Sequence, residues 1–182
     1  MNTSVDAVGG GGGLLPGIAR RSVEAVLLRL DEEPPRFEEG MLSQPAALFV
    51  TIRNRAGGLR GCIGNLEPKY PTVVDETWWV ARLSAFQDNR FEPVRREELE
   101  ALCFEVSVLG KRETIGSEAG LDPSRYGLMV STEDGRCGVL LPGLEDVTTV
   151  EEQVRIAHRK GGILPGEPVT FERFEVEKFK EQ

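Results

Sequence analysis

The sequence predicts an α+β fold in which a largely antiparallel sheet is packed with helices. Two hairpin signatures, each with a glycine-containing turn between strand-like segments, indicate antiparallel pairing. Three other segments have the three- and four-residue apolar spacing of helices. Strands and helices do not alternate regularly, which distinguishes the pattern from a parallel βαβ fold. The chain has 182 residues, 40% of them hydrophobic, which is enough for one domain with its own core.

The chain begins with a segment that favours disorder and then turns helical. Residues 1–13 are small and polar and end in a glycine run, so they are predicted to form a flexible tail. A single domain is expected over residues 14–182. Its first helix is predicted from Leu15 to about Leu30, because apolar residues recur there at helical steps. Pro34-Pro35 is expected to stop this helix.

A hairpin and a second helix follow. Ala47–Arg53 is rich in strand-forming residues, Gly57-Gly58 supplies a turn, and Leu59–Leu66 is the predicted returning strand. Pro71 is expected to open a helix that runs to about Phe86. Its predicted apolar stripe consists of Val74, Trp78, Ala81 and Ala85.

The remaining elements are predicted from alternation, turn residues and helix caps. Thr149 followed by Glu152 has the capping-box form, so a third helix should begin at Val150. Gly161-Gly162 should end it. The other predicted segments are a helical turn over Arg95–Ala101, a strand over Cys103–Leu109, a loop over Gly110–Ser124, a hairpin of Tyr126–Ser131 and Arg136–Leu141 around Asp134-Gly135, and a last strand over Val169–Phe179 with a bulge near Glu172-Arg173.

Charge and cysteine content restrict the class of partner. The net charge is −8, and no cluster of Lys and Arg offsets it, so binding to nucleic acid or to an anionic membrane is not expected. The three cysteines, Cys62, Cys103 and Cys137, are odd in number and widely spaced. This indicates a reducing compartment rather than a disulfide framework. With no signal-peptide pattern and no membrane-length apolar run, the expected location is the cytoplasm.

The segment Leu59–Gly64 (Leu-Arg-Gly-Cys-Ile-Gly) is the strongest candidate for a functional site. In a strand, Arg60 and Cys62 share one face and lie about 7 Å apart at ~3.3 Å per residue. A nearby guanidinium favours the thiolate and would lower the pKa of the thiol. Gly61 and Gly64 leave room for a ligand or another backbone. The alternative is structural, since cysteine is often buried and a strand glycine can mark tight packing.

Three further residues are candidates, each with a structural alternative. Asp88 and Arg90 form either a salt bridge or cap, or part of a ligand site near Cys62. His158 is the only histidine; it lies on the inward side of the third helix, either as a packed core residue or as a base for the Cys62 thiol. The cysteines and the histidine lack the close spacing of metal ligands, so we expect no metal and no other cofactor.

Leu59–Gly64 resembles the hallmark of the AMMECR domain family. Other segments similar to the family follow the same order along the chain, from about Leu15 to the C-terminus. They are Ala47–Thr51, Leu66–Pro68, Asp88–Val94, Glu105–Leu109, Tyr126–Val130, Leu140–Pro142 and Lys160–Ile163. The residue at position 158 departs from the family pattern, so the resemblance does not imply a family-wide Cys–His pair.

The resemblance implies an α+β fold with a main body, a smaller subdomain and a cleft between them. It also implies an association, in many prokaryotes, with a Memo-like protein and a radical-SAM protein, but it supplies no reaction. The first functional hypothesis is therefore a module that binds a small molecule, peptide or partner at Leu59–Gly64. The alternative is an enzyme in which Cys62 is a nucleophile or covalent carrier, Arg60 stabilises its thiolate, and neighbouring backbone N–H groups hold a developing anion.

Overall fold

A computed structural model describes residues 13–181, which form two compact units. Of the described residues, 13–108 and 178–181 form the first unit, and Leu109–Glu177 form the second. Apart from Gly13, the predicted tail over residues 1–13 lies outside the described residues. Helices combine with antiparallel sheets, so the predicted α+β class is confirmed.

The structure contains three α-helices and eight strands within residues 13–181. In chain order they are α1 (Leu14–Leu27), β1 (Leu48–Asn54), β2 (Leu59–Gly64), α2 (Val73–Phe86), β3 (Leu102–Leu109), β4 (Glu113–Ile115), β5 (Gly127–Ser131), β6 (Cys137–Leu140), α3 (Val150–Gly161), β7 (Thr170–Phe174) and β8 (Val176–Lys180). Short 3₁₀ helices span Met41–Ser43, Arg96–Ala101 and Glu118–Gly120. Within the described part of the chain, no helix combines the length and the hydropathy needed to cross a bilayer.

The first unit is built on a four-stranded sheet with the strand order β2-β1-β3-β8. The β1–β2 hairpin confirms the predicted pairing, and β2 lies at the edge of the sheet. Helix α2 lies on β1 and β2 and packs against α1. Its predicted apolar stripe is fully buried, as are the inward residues of β1 and β3. Burial of these alternating side chains positions the hairpin under α2.

Local caps set the ends of the first two helices. Helix α1 ends at Leu27, before the predicted end at Leu30, because Arg29 adopts a positive φ of 56°. The N–H of Leu30 then donates to the Ala25 carbonyl, which completes a Schellman-type end ahead of the two prolines. Helix α2 begins after Thr72, whose hydroxyl accepts the N–H of Asp75, rather than at Pro71.

The second unit has a four-stranded sheet with the order β4-β7-β5-β6, and α3 packs on β5 and β6. The predicted Asp134-Gly135 hairpin and the predicted cap of α3 at Thr149 are both confirmed. The predicted loop over Gly110–Ser124 is wrong in part, because β4 and a 3₁₀ helix lie within it. Strand β4 is stabilised by pairing with β7, a contact that joins residues about 60 positions apart.

The single strand predicted over Val169–Phe179 is also wrong. Two strands occupy this segment: β7 lies in the sheet of the second unit and β8 in that of the first. No bulge occurs at Glu172-Arg173, where β7 pairs in regular register with both β4 and β5. The interruption is at Glu175, whose carbonyl accepts the N–H of Gly110 instead of continuing a ladder.

Candidate functional site

Cys62 lies in the middle of edge strand β2, opposite Thr51 of β1. The two side chains share a face of the sheet, and Cys62 Sγ is 3.3 Å from Thr51 Oγ1. The backbone N–H and carbonyl of Cys62 point away from β1, as expected for a residue in a non-hydrogen-bonded antiparallel pair. The thiol is half-buried, so it is neither enclosed in the core nor fully exposed.

The ion pair of Asp88 and Arg90 holds both backbone polar groups of Cys62. Asp88 Oδ2 accepts the Cys62 N–H at 2.8 Å, and Arg90 Nη2 donates to the Cys62 carbonyl at 3.0 Å. The same carboxylate accepts Arg90 Nη2 at 2.7 Å through Oδ2 and Arg90 Nε at 2.9 Å through Oδ1. The predicted salt bridge is therefore present and lies beside Cys62. The role of these two residues in a ligand site stays a prediction.

The position of this ion pair follows from the end of α2. Asp88 comes two residues after the helix, and its Oδ1 accepts the N–H of Arg90 at 3.2 Å, which folds the short segment back on itself. Its side chain is 5% exposed, whereas that of Arg90 is 53% exposed. Hydrogen bonds from Arg90 hold the pKa of Asp88 far below its ordinary value, and those bonds raise the pKa of Arg90. Asp88 is thus a charged group at the inner end of the site.

Arg60 does not pair with Cys62, which corrects the predicted role of this guanidinium. Its Nε and Nη2 donate to the two carboxylate oxygens of Glu98, at 2.8 and 3.1 Å. The bidentate contact with Arg60 lowers the pKa of Glu98. Sequence spacing correctly placed Arg60 on the Cys62 face, but a carboxylate 38 residues away in sequence directs its long side chain elsewhere.

The two glycines of the segment permit close packing of protein atoms. A Cβ on Gly61 would lie 2.2 Å from the Ser84 carbonyl oxygen of α2, and one on Gly64 would lie 2.2 Å from the Phe49 ring. The Ile63 N–H between them donates to Ser84 Oγ at 3.0 Å. The backbone N–H groups of Cys62 and Ile63 are therefore both occupied, which contradicts the predicted anion-holding role.

A sequence comparison decides the family of the chain. The AMMECR1 family profile matches residues 16–180. The chain belongs to the AMMECR1 family. A Thermotoga maritima relative is 40% identical over 151 residues, covering 82% of this chain and 84% of that protein. A Clostridium acetobutylicum relative is 37% identical over 167 residues, which is 90% of this chain but 35% of that longer protein.

The AMMECR1 fold is also found in a solved structure. The crystal structure of the uncharacterised protein PH0010 from Pyrococcus horikoshii is similar to this chain with a TM-score of 0.83 and 34% sequence identity. The similarity covers 94% of this chain and 91% of that one.

His158 belongs to the second unit of this AMMECR1 protein, whereas Cys62 belongs to the first. The imidazole is half-buried, and its ring centre lies 6.3 Å from that of Phe171. Val154 and Phe171 line a cavity of about 610 Å³ together with His158. His158 thus lies beside Val154 as predicted, but it is half-buried at this cavity and is not a core residue. Its proposed role as a base for Cys62 stays a prediction. Among residues 13–181, no group of three or more potential metal ligands is present.

Sequence reasoning missed two polar residues that organise the site from α2. Ser84 Oγ donates to the Val50 carbonyl and accepts the Ile63 N–H, so it joins the helix to both hairpin strands. Glu76 is fully buried and accepts hydrogen bonds from the Asn65 side chain and from two backbone N–H groups of the loop after β2. Ser84 and Glu76 are polar residues on the buried side of a predicted amphipathic helix, and this is the sequence signal that could have identified them.

Proposed function

We propose that this AMMECR1-family protein binds a ligand or protein partner at the surface formed by Cys62 and Arg90, here called the Cys62 surface. The observation that carries the proposal is the fixed backbone of Cys62, which the Asp88–Arg90 pair holds at both its N–H and its carbonyl. Rigid support of this kind reduces the entropy lost when a ligand binds. A half-buried thiol and a half-exposed guanidinium are the groups presented on this support.

The local charge indicates which chemistry this surface favours. Asp88 compensates the positive charge of Arg90, so strong attraction of a phosphate is not expected. Arg90 binds Asp88 through Nε and Nη2, and within residues 13–181 its Nη1 makes no hydrogen bond. A neutral acceptor, such as a peptide carbonyl or an amide, therefore suits this site better than a free anion.

The Memo-like and radical-SAM proteins implied by the family resemblance are the proposed partners. The test uses a variant with Cys103→Ser and Cys137→Ser, two exposed positions, so that Cys62 is the only thiol. Each purified partner from the same organism is added, and alkylation of Cys62 is followed by mass spectrometry. A partner that covers this surface should slow alkylation several-fold and co-elute with the chain in size-exclusion chromatography.

A charge-matched substitution controls for non-specific effects. Arg90→Gln should weaken co-elution, whereas Arg125→Gln, which removes an exposed ion-paired arginine of the second unit, should leave it unchanged. Melting temperatures of both variants establish that they are folded. The proposal would be contradicted if neither partner slowed alkylation of Cys62 or co-eluted with the chain, and if no small molecule or peptide raised the melting temperature of the chain.

The alternative function is an enzyme that uses Cys62 as a nucleophile or covalent carrier. The specific observation in its favour is the guanidinium of Arg90, which donates to the Cys62 carbonyl at 3.0 Å and so places a positive charge near the thiol. The occupied N–H groups of Cys62 and Ile63 favour binding over catalysis, since they leave no donor there for a developing anion. If the single-thiol variant is alkylated only above the ordinary thiol pKa of ~8.5, an activated nucleophile is excluded.

A further inference from the structure

We propose a second ligand site in the first unit, one that takes a small organic cation carrying an alkylammonium group. The site is a cavity of about 540 Å³ between the segment 33–38 and the N-terminal half of α2. Its volume lies within the range of small-molecule pockets, ~300–1,000 Å³. None of its lining residues belongs to the Cys62 surface, so this site is independent of the function proposed above. The groups that matter are two aromatic rings, three carboxyl groups and two prolines.

The aromatic wall is formed by Trp79 and Tyr70. Their ring centres are 6.0 Å apart and their planes differ by 22°, so they form a stacked pair. Trp78 and Trp79 are adjacent on α2, and helical geometry turns them to different sides. Trp78 is 1% exposed in the core, whereas Trp79 is 38% exposed and lines the cavity. A large aromatic side chain left at the surface beside a cavity is typical of a recognition site.

One ring of this pair, that of Trp79, already contacts a cation of the chain. The guanidinium carbon of Arg82 lies 4.8 Å from the centre of the Trp79 ring. A cation within about 6 Å of an indole ring is attracted by the negative potential of the ring face. Arg82 does not line the cavity. Because the Trp79 ring is contacted by Arg82 and stacked with Tyr70, the Tyr70 ring is the aromatic surface offered to a ligand.

The charges around the cavity favour a positive ligand. Three carboxyl groups line it, those of Glu33, Glu38 and Asp75, against the single guanidinium of Arg36. Within residues 13–181, neither Glu33 nor Glu38 takes part in an ion pair. Asp75 accepts the hydroxyl of Thr72 at 2.7 Å, which is a neutral donor. An anion would therefore be repelled here, and an apolar molecule would leave these carboxyl groups unused.

Methylated ammonium is the cation that fits both features. Its methyl groups can contact the ring of Tyr70, while its charge is attracted by that ring and by the carboxyl groups. Pro34 and Pro35 add apolar lining whose fixed φ angles restrict its motion. A strongly hydrated metal ion would gain little from such walls.

The experiment uses choline as the probe and 3,3-dimethylbutan-1-ol, its uncharged isostere, as the matched ligand control. Binding to the full chain is measured by isothermal titration calorimetry and by broadening of the probe's methyl resonance in ¹H NMR. We expect saturable binding of choline, at least about fivefold tighter than that of the isostere. Trp79→Leu and the Glu33→Gln/Glu38→Gln double variant should each weaken choline binding by about fivefold or more.

Glu39→Gln is the matched protein control, because Glu39 is exposed and directly follows this segment but does not line the cavity. It should leave choline binding unchanged. Absence of saturable binding at millimolar choline would overturn the proposal. Equal affinity for choline and for the uncharged isostere would also overturn it, since the site would then not recognise the positive charge. A loss of affinity in Glu39→Gln as large as that in the double variant would overturn it too, since the lining carboxyl groups would then have no specific role.

Discussion

Substitution of Asp88 by asparagine tests the ion pair that supports the Cys62 surface. The carboxylate accepts four hydrogen bonds, one from the Cys62 N–H and three from Arg90. An amide group retains one acceptor oxygen, so its NH₂ would face two of these donors and about two of the four bonds would be lost. Each bond of a charged group contributes ~1.5–3 kcal/mol when buried, and the exposure of Arg90 reduces this. We therefore expect the free energy of unfolding to fall by about 2–4 kcal/mol.

Urea denaturation followed by tryptophan fluorescence is the assay. Both tryptophans lie on α2, so the signal reports unfolding of the unit that contains Asp88. Asp134→Asn is the control, because Asp134 forms an ion pair with Arg136 at the same two-residue spacing but its side chain is 60% exposed. Followed by far-UV circular dichroism, that variant should unfold like the wild type. A decrease below about 1 kcal/mol for Asp88→Asn would refute the supporting role of the ion pair.

The pH dependence of the free energy of unfolding is an independent check on Asp88. Because the folded-state pKa of Asp88 is depressed, its contribution to stability is present above the unfolded-state pKa of ~3.9 and is lost as the pH falls towards the folded-state pKa. The asparagine side chain of the variant cannot titrate. The stability difference between wild type and Asp88→Asn should therefore be constant near neutral pH and shrink below pH ~4. A difference that stays constant down to pH ~2 would contradict the assigned protonation behaviour.

Three further predictions concern packing and buried polar groups, and each is measured by urea denaturation. Gly61→Ala should lower the free energy of unfolding by about 1–3 kcal/mol because its Cβ would overlap a carbonyl of α2, whereas Gly17→Ala, in open space on α1, should raise it by about 0.5–1 kcal/mol. Glu76→Leu should lower it by about 3 kcal/mol because three donors lose their acceptor, and Glu76→Gln should recover part of the loss because its amide keeps one acceptor oxygen. Gly138→Ala should destabilise the second unit by at least as much as Gly61→Ala does the first, since its Cβ would lie 1.8 Å from the Ala157 carbonyl oxygen; unchanged stability in either glycine variant would show that the helix can shift at little cost.

Most elements of the fold were predictable because their signals are local. The β1–β2 hairpin follows from a glycine turn between two strand-forming runs, and α3 from a threonine cap and a terminal glycine pair. The positions that were wrong depend on distant partners. Strand β4 exists because β7 pairs with it, and the last strand divides at Glu175 because its two halves join different sheets. The alternation of apolar and polar residues along a strand does not indicate which sheet the strand joins.

By itself, the sequence determined that Arg60 and Cys62 share a face of a hairpin strand, that the Trp-containing helix buries one side, and that the chain resembles the AMMECR family. Only the tertiary structure decided that Glu98 takes the guanidinium of Arg60 and that Arg90 stands beside Cys62 in its place. The physical reason is the length of the arginine side chain. Backbone periodicity sets the direction in which a side chain leaves the strand, but the end of a long arginine goes to the nearest carboxylate, and folding decides which carboxylate that is.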